Sequence, residues 1–195
     1  MFAGQGCFIA IVGPSGAGKD TLISWLKPRL EPINEILFAR RAVTRDADGS
    51  TEDHDSLDRV TFAAQEDAGA FAVTWEAHGL RYGVPAATLL HVEKGGIVIG
   101  NGSRRALDDI ERAYSNLLVV NVTVDRHVLA ERLAERGRET AEEIEKRLAR
   151  SAEKLPEIGH VVEIDNSGEI EMAGRAFLSL LKEHFDIGEM AVIDT

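Results

Sequence analysis

The sequence predicts an α/β fold, a central parallel sheet covered by helices, and three observations carry that reading. Short continuous apolar runs alternate along the chain with amphipathic stretches of helical spacing, as expected of strands buried on both faces and joined by crossover helices. The first apolar run breaks into a glycine-rich turn that opens directly onto a helical segment. No internal repeat interrupts the order, and 195 residues suit one domain rather than two.

The elements follow in turn. Cys7–Val12 is a continuous apolar run bounded by Gly13, the pattern of a central strand. Leu22, Ile23, Trp25 and Leu26 then form one helix face, and Pro28 predicts its end, because a proline ring lacks an N–H and clashes with the preceding turn. Further buried strands are expected at 97–99, 117–124 and 161–164, with helices around 103–114 and 126–134 between them. Residues 141–152 carry Ile144 and Leu148 at helical spacing, and 170–181 supply a last helix. The stretch from about 38 to 90 differs: polar residues 46–58 precede short strands at 71–75 and 80–84 around His78 and Gly79, which reads as an inserted substrate flap.

Charge and composition exclude several function classes. A net charge of −11 repels polyanions, so nonspecific nucleic-acid binding is not expected, and any anion must meet local positive charge. Such charge is grouped at Arg40, Arg41 and Arg45, at Arg81, at Arg104 and Arg105, and between Arg132 and Arg150. The apolar runs are too short to span a bilayer, and the first residues lack the basic and apolar regions of a secretory signal. No membrane partner is expected, and the cytoplasm is the expected location. Cys7 is the single cysteine and reads as a buried structural thiol. No second histidine or cysteine stands at ligand spacing from His78, which argues against zinc.

Gly13, Pro14, Ser15, Gly16, Ala17, Gly18 and Lys19 have the P-loop spacing, placed between a buried strand and a helix as the mechanism requires. Glycines let successive N–H groups converge on one anion, the helix N-terminus adds partial positive charge, and Lys19 reaches the β- and γ-phosphates of ATP. Asp20 departs from the motif, standing where Ser or Thr supplies a hydroxyl to Mg²⁺. A carboxylate a few ångströms from a phosphate is repelled by about 4 kcal/mol per charge pair at an effective dielectric of 20, unless a cation lies between them. Either Asp20 helps hold Mg²⁺, directly or through water, or it merely suits a first helical turn and Thr21 takes the metal.

On these residues the chain resembles the guanylate kinase-like family over nearly its whole length to about Leu181. The segment from Gly69 and Phe71 through Trp75, Glu76 and His78 to Tyr82-Gly83 is similar to that family's flap strand and turn. Thr44-Arg45 resembles its phosphate-binding arginine region, and Arg132, Arg136 and Arg147 fall at lid-like spacings. Two departures stand out. Pro85 and the Asp53-His54-Asp55 run replace the groups that read guanine, and Asn101-Gly102-Ser103-Arg104 replaces an acidic run after the fourth apolar strand. The combination resembles the ribose 1,5-bisphosphate phosphokinases of phosphonate breakdown.

That resemblance implies a single P-loop kinase domain over 1–195, with a substrate-binding insertion at about 38–90 and a mobile arginine lid at about 132–148. It implies transfer of the γ-phosphoryl group of ATP to ribose 1,5-bisphosphate with Mg²⁺, giving 5-phosphoribosyl 1-diphosphate and ADP. Lys19, Asp20, Arg136 and Arg147 are the expected catalytic residues, and Arg132 is expected to help close the lid over ATP. Arg41, Arg45 and Tyr82 are expected at the acceptor's phosphates, with Glu76 and Asn101 at its hydroxyls. The alternatives are a guanylate or other nucleoside monophosphate kinase and a non-catalytic module that holds a phosphorylated segment. Monomer and homodimer both stay open.

Overall fold

The computed structural model describes residue 2 and residues 4–45, 54–77, 79–135, 137, 140–151 and 155–185. In chain order the elements are β1 (Cys7–Val12), α1 (Lys19–Leu30), β2 (Ile36–Ala39), β3 (Arg41–Val43), β4 (His54–Ser56), α2 (Arg59–Asp67), β5 (Phe71–Ala77), β6 (Leu80–Pro85), α3 (Ala87–Glu93), β7 (Ile97–Asn101), a 3-10 turn (Arg104–Ala106), α4 (Leu107–Ala113), β8 (Leu117–Thr123), α5 (Arg126–Glu135), α6 (Ala141–Ser151), β9 (Val161–Asp165) and α7 (Ile170–His184). Among the described residues no helix is long and apolar enough to cross a membrane.

The core is a five-stranded sheet in the order β2-β7-β1-β8-β9, every pair parallel. β1 is central, and its alternate residues feed two apolar layers. Cys7, Ile9 and Ile11 join Leu22, Leu26 and Leu30 of α1 and Phe177 and Leu181 of α7. Phe8, Ala10 and Val12 join Ile110 of α4 and Tyr114 just beyond it. Each leucine, isoleucine, valine or phenylalanine among them contributes about 1.5–3 kcal/mol when fully buried. Burial also pushes the Cys7 thiol up to about 12. Because all five strands run the same way, the turns after β1, β7, β8 and β9 gather along one edge of the sheet, where such folds bind ligands.

A second sheet, ordered β4-β3-β6-β5, spans residues 41–85. Its β5–β6 hairpin pairs Trp75 with Tyr82 and Glu76 with Arg81, and directly opposed residues share a face. One face carries Val73, Trp75 and Val84 into the apolar layer of Phe8 and Tyr114. The other packs on α2: Thr74 donates its hydroxyl to Glu66 at 2.7 Å, Glu66 pairs with Arg81, and Phe62 stacks on Phe71 at 4.8 Å. Asp58 caps α2 by accepting from the Val60 and Thr61 amides at 2.9 Å each.

Two expectations need correction, while a third holds closely: helix α1, expected to stop near Pro28, passes through it and ends at Leu30. The last turn survives because Leu30 is fully buried, Glu31 N–H closes on the Lys27 carbonyl at 2.9 Å, and Arg29 lies over the Trp25 ring at 3.8 Å while donating to the Trp25 carbonyl. Residues 36–39, partly assigned to the flap, are the edge strand of the core sheet, so the second sheet begins only at Arg41. The helix expected at 103–114 is shorter, a 3-10 turn followed by Leu107–Ala113, since Ser103 caps the tighter turn by accepting from Arg105 N–H.

Candidate active site

The glycine loop follows β1 and closes on the first turn of α1. Gly13 (φ 146) sits so close to β8 that a Cβ there would lie 2.4 Å from the Val122 carbonyl oxygen. Gly18 (φ 85) is the N-cap of α1, in the left-handed region open to glycine. Directly after Gly18, Lys19 folds back over the loop and donates its ammonium to the carbonyls of Gly13 and Pro14, at 2.9 Å each. The lysine charge is thus held over the loop whose amides would take the phosphates.

Two other segments reach this loop. From α6, Arg147 donates to the Ser15 hydroxyl at 2.7 Å. Helices α5 and α6 pack through Leu129, Leu133 and Leu148, with Ile144 against them, and Arg126 pairs with Glu145 at 2.9 Å, so the two helices carry their arginines together. Arg132 of α5 comes close to Gly18: one guanidinium nitrogen is 3.9 Å from where a Cβ on that glycine would stand. Arg136 lies outside the described residues, as do His78, Glu52 and Asp53.

On the other side of the loop, Asn101 at the end of β7 donates to the Asp20 carboxylate at 2.5 Å. These two residues line a cleft that continues past Lys27 and Phe38 to Arg40 and Arg41. Arg41 lies over the Tyr82 ring at 5.3 Å, and Tyr82 stacks almost parallel on Trp75 at 5.4 Å. The structure therefore joins Asp20, Asn101, Arg41 and Tyr82 in one neighbourhood running from the glycine loop to the second sheet.

Not every expected residue joins it. Thr21 is exposed and lines no part of that cleft, since one step along a helix turns the side chain by about 100° from Asp20. Glu76 lies on the α2 face, 3.8 Å from Arg81 and on the opposite side of the sheet from Tyr82. Arg45 follows the buried Thr44, whose hydroxyl accepts from Arg81 N–H at 2.8 Å. A residue missed from sequence is Asn166, just beyond β9, whose amide donates to the Ala17 carbonyl at 2.7 Å. It lies 149 positions from its partner, and no local pattern marks it.

The donor set suits magnesium brought in on phosphate oxygens. Asp20 offers carboxylate oxygen beside the loop, and the adjoining Asn101 Oδ1 is buried without a hydrogen-bond partner. Magnesium takes hard oxygen ligands and is usually held by one or two carboxylates plus substrate phosphates. Among the described residues there is no group of three or more His, Cys, Asp or Glu side chains able to cage a metal.

Solved structures speak to the fold and curated proteins to the family. A guanylate kinase from Anaplasma phagocytophilum superposes with a TM-score of 0.64 at 16% identity, over 98% of this chain and 92% of its own. A gluconokinase from Sinorhizobium meliloti 1021 gives 0.52 at 16% identity, over 93% of both chains. These likenesses establish the fold. No protein-family model matches the chain. Ribose 1,5-bisphosphate phosphokinase PhnN of Agrobacterium fabrum is 47% identical over 175 residues, 90% of this chain and 96% of that protein. The protein of the same name from Brucella melitensis biotype 2 is 49% identical over 179 residues, 92% of this chain and 93% of that protein. At that identity, over nine-tenths of its length, the chain belongs to the ribose 1,5-bisphosphate phosphokinase family.

Proposed function

We propose that this protein transfers the γ-phosphoryl group of ATP to the 1-phosphate of ribose 1,5-bisphosphate, forming 5-phosphoribosyl 1-diphosphate and ADP. Kinship with enzymes of that name over nine-tenths of the chain carries the choice of acceptor. The geometry supports it through the cleft that runs from Asp20 and Asn101, beside the loop that carries Lys19, to Arg40 and Arg41, because joining two phosphates needs cationic groups on both the donor and the acceptor side.

The acceptor oxygen is already largely ionised near neutral pH, so no general base is required. The work lies in bringing two polyanions into line and screening their charge. Amides of residues 13–18 and Lys19 grip the nucleotide phosphates. Arg147 and Arg136, carried on the lid at about 132–148, neutralise charge on the migrating group, and Arg132 closes over ATP. Arg41 and Tyr82 receive the acceptor's phosphates, and Asn101, which also steadies Asp20, faces its sugar. Glu76 acts through Arg81 and not on the acceptor. Asp20 is the residue that would face magnesium, which when bound would supply neutralisation of phosphate charge.

We place the activity in the cytoplasm with a small phosphorylated sugar as partner, a net charge of −11 opposing association with nucleic acid. The test is an acceptor panel of ribose 1,5-bisphosphate, ribose 5-phosphate and GMP, run with ATP and Mg²⁺, with product masses read directly. A mass corresponding to 5-phosphoribosyl 1-diphosphate from the first alone supports the reading. GDP as the main product would replace it with a nucleotide kinase.

A further inference from the structure

Asn166 is 3% exposed and sits where the core sheet meets the glycine loop. Its backbone N–H donates to the Thr123 carbonyl at 2.9 Å, which fixes it at the ends of β8 and β9. Its side-chain N–H donates to the Ala17 carbonyl at 2.7 Å. Its Oδ1 is buried with no hydrogen-bond partner. A leucine of similar volume would fill the same space without burying an orphan oxygen, so the amide is accounted for by the one bond it makes.

That bond falls on a consequential peptide unit. In a trans peptide the carbonyl of one residue and the N–H of the next point in opposite directions. Tying the Ala17 carbonyl toward Asn166 therefore turns the Gly18 N–H away from Asn166. Gly18 has φ 85 and ψ 22, and glycine tolerates either sign of φ, so the backbone itself gives little resistance to rotating this peptide by half a turn. A rotated peptide would aim a carbonyl oxygen, not an N–H, at the anion. The fit is close as well: a Cβ on Gly18 would stand 2.4 Å from the Asn166 amide nitrogen.

We infer that Asn166 is a positioning residue for nucleotide binding: it locks the Ala17–Gly18 peptide so that the Gly18 N–H faces a phosphate. The inference rests on the reading that the loop holds ATP. It assigns Asn166 an effect on the nucleotide side of the reaction and none on the acceptor side.

The experiment uses the full chain, with Mg²⁺ and a non-hydrolysable ATP analogue as probe. Asn166→Asp is nearly isosteric but opposes the Ala17 carbonyl with an oxygen, and Asn166→Ser is too short to reach it. Both should weaken analogue binding by about tenfold or more in calorimetric titration, while KM for ribose 1,5-bisphosphate stays within about twofold. In ¹⁵N–¹H spectra the Gly18 amide should shift on adding the analogue in the wild type and shift much less in the variants. If Asn166→Asp does not fold, Asn166→Ser decides. Unchanged analogue affinity and an unchanged Gly18 shift in a folded variant would overturn the inference alone, whatever happens to the melting temperature. A wild type that does not bind the analogue would overturn it together with the kinase reading.

Discussion

Asn101 and Asp20, 81 residues apart, meet through a 2.5 Å hydrogen bond that ties the end of β7 to the first turn of α1. The amide can only donate to the carboxylate, so one Asp20 oxygen is held in place and the carboxylate is steadied as a unit. The sequence suggested separate tasks for these residues, one at the metal and one at the sugar. The fold makes them neighbours, and a change at either should be felt at the metal.

Asp20→Ala is therefore expected to raise the free Mg²⁺ needed for half-maximal rate by more than about tenfold, and Asn101→Ala by about tenfold. Initial rates measured against free Mg²⁺ at saturating ATP check both. An unchanged Mg²⁺ requirement in Asp20→Ala would move the metal away from that carboxylate.

Arg147→Lys should lower kcat about a hundredfold with little change in KM for the acceptor, because an ammonium cannot reproduce the two parallel hydrogen bonds a guanidinium makes to phosphate. Arg136→Lys should behave alike. Steady-state kinetics in both substrates separate the two parameters, and an unaltered kcat would remove the arginine in question from the transfer step.

Tyr82→Phe keeps the stack on Trp75 and the face offered to Arg41 but deletes the hydroxyl. The expected result is a rise of about fivefold to tenfold in KM for ribose 1,5-bisphosphate, with KM for ATP unaffected. Arg41→Ala should act in the same direction and more strongly. A rise confined to ATP would place the second sheet on the wrong side of the reaction.

The Thr74 hydroxyl bond, and after it the Arg81 guanidinium, hold the Glu66 carboxyl below its ordinary value of 4.5. A depressed folded-state pKa stabilises the fold above the unfolded value, and that share is lost as pH falls through the folded value. Melting temperatures followed from pH 6 downward should thus fall less steeply below about 4.5 in Glu66→Gln than in the wild type. Identical slopes would show that the contacts of Glu66 do not couple to folding.

How much of this was legible in the sequence follows from burial. β1, β7 and β8 are covered on both faces over most of their length and write themselves as apolar runs, while the edge strand β9 buries only Ile164 and shows itself through Val161, Val162 and Ile164; the glycine loop announces itself by spacing. β3 and β4 are three residues long and include Arg41, His54 and Asp55, so they leave neither an apolar run nor a clear alternation. Helix α2 buries only Phe62 among its described side chains, too little for a helical stripe. Within the site, Lys19, Asp20 and Arg147 were readable by spacing. The opposite orientations of Tyr82 and Glu76 follow from strand parity, but which face meets the core depends on packing that only the fold reveals. Asn166 depends wholly on a tertiary contact.

Cys7 lies at full depth in the central strand, and its thiol is the only one in the sequence. Thiol-directed reagents should accordingly pass over the folded wild-type protein, with no need to replace a native cysteine first. A dye placed on a single cysteine introduced at an exposed position of α6, paired with a second label on the core, would then report in real time whether the arm bearing Arg147 leaves Ser15 as each ligand arrives.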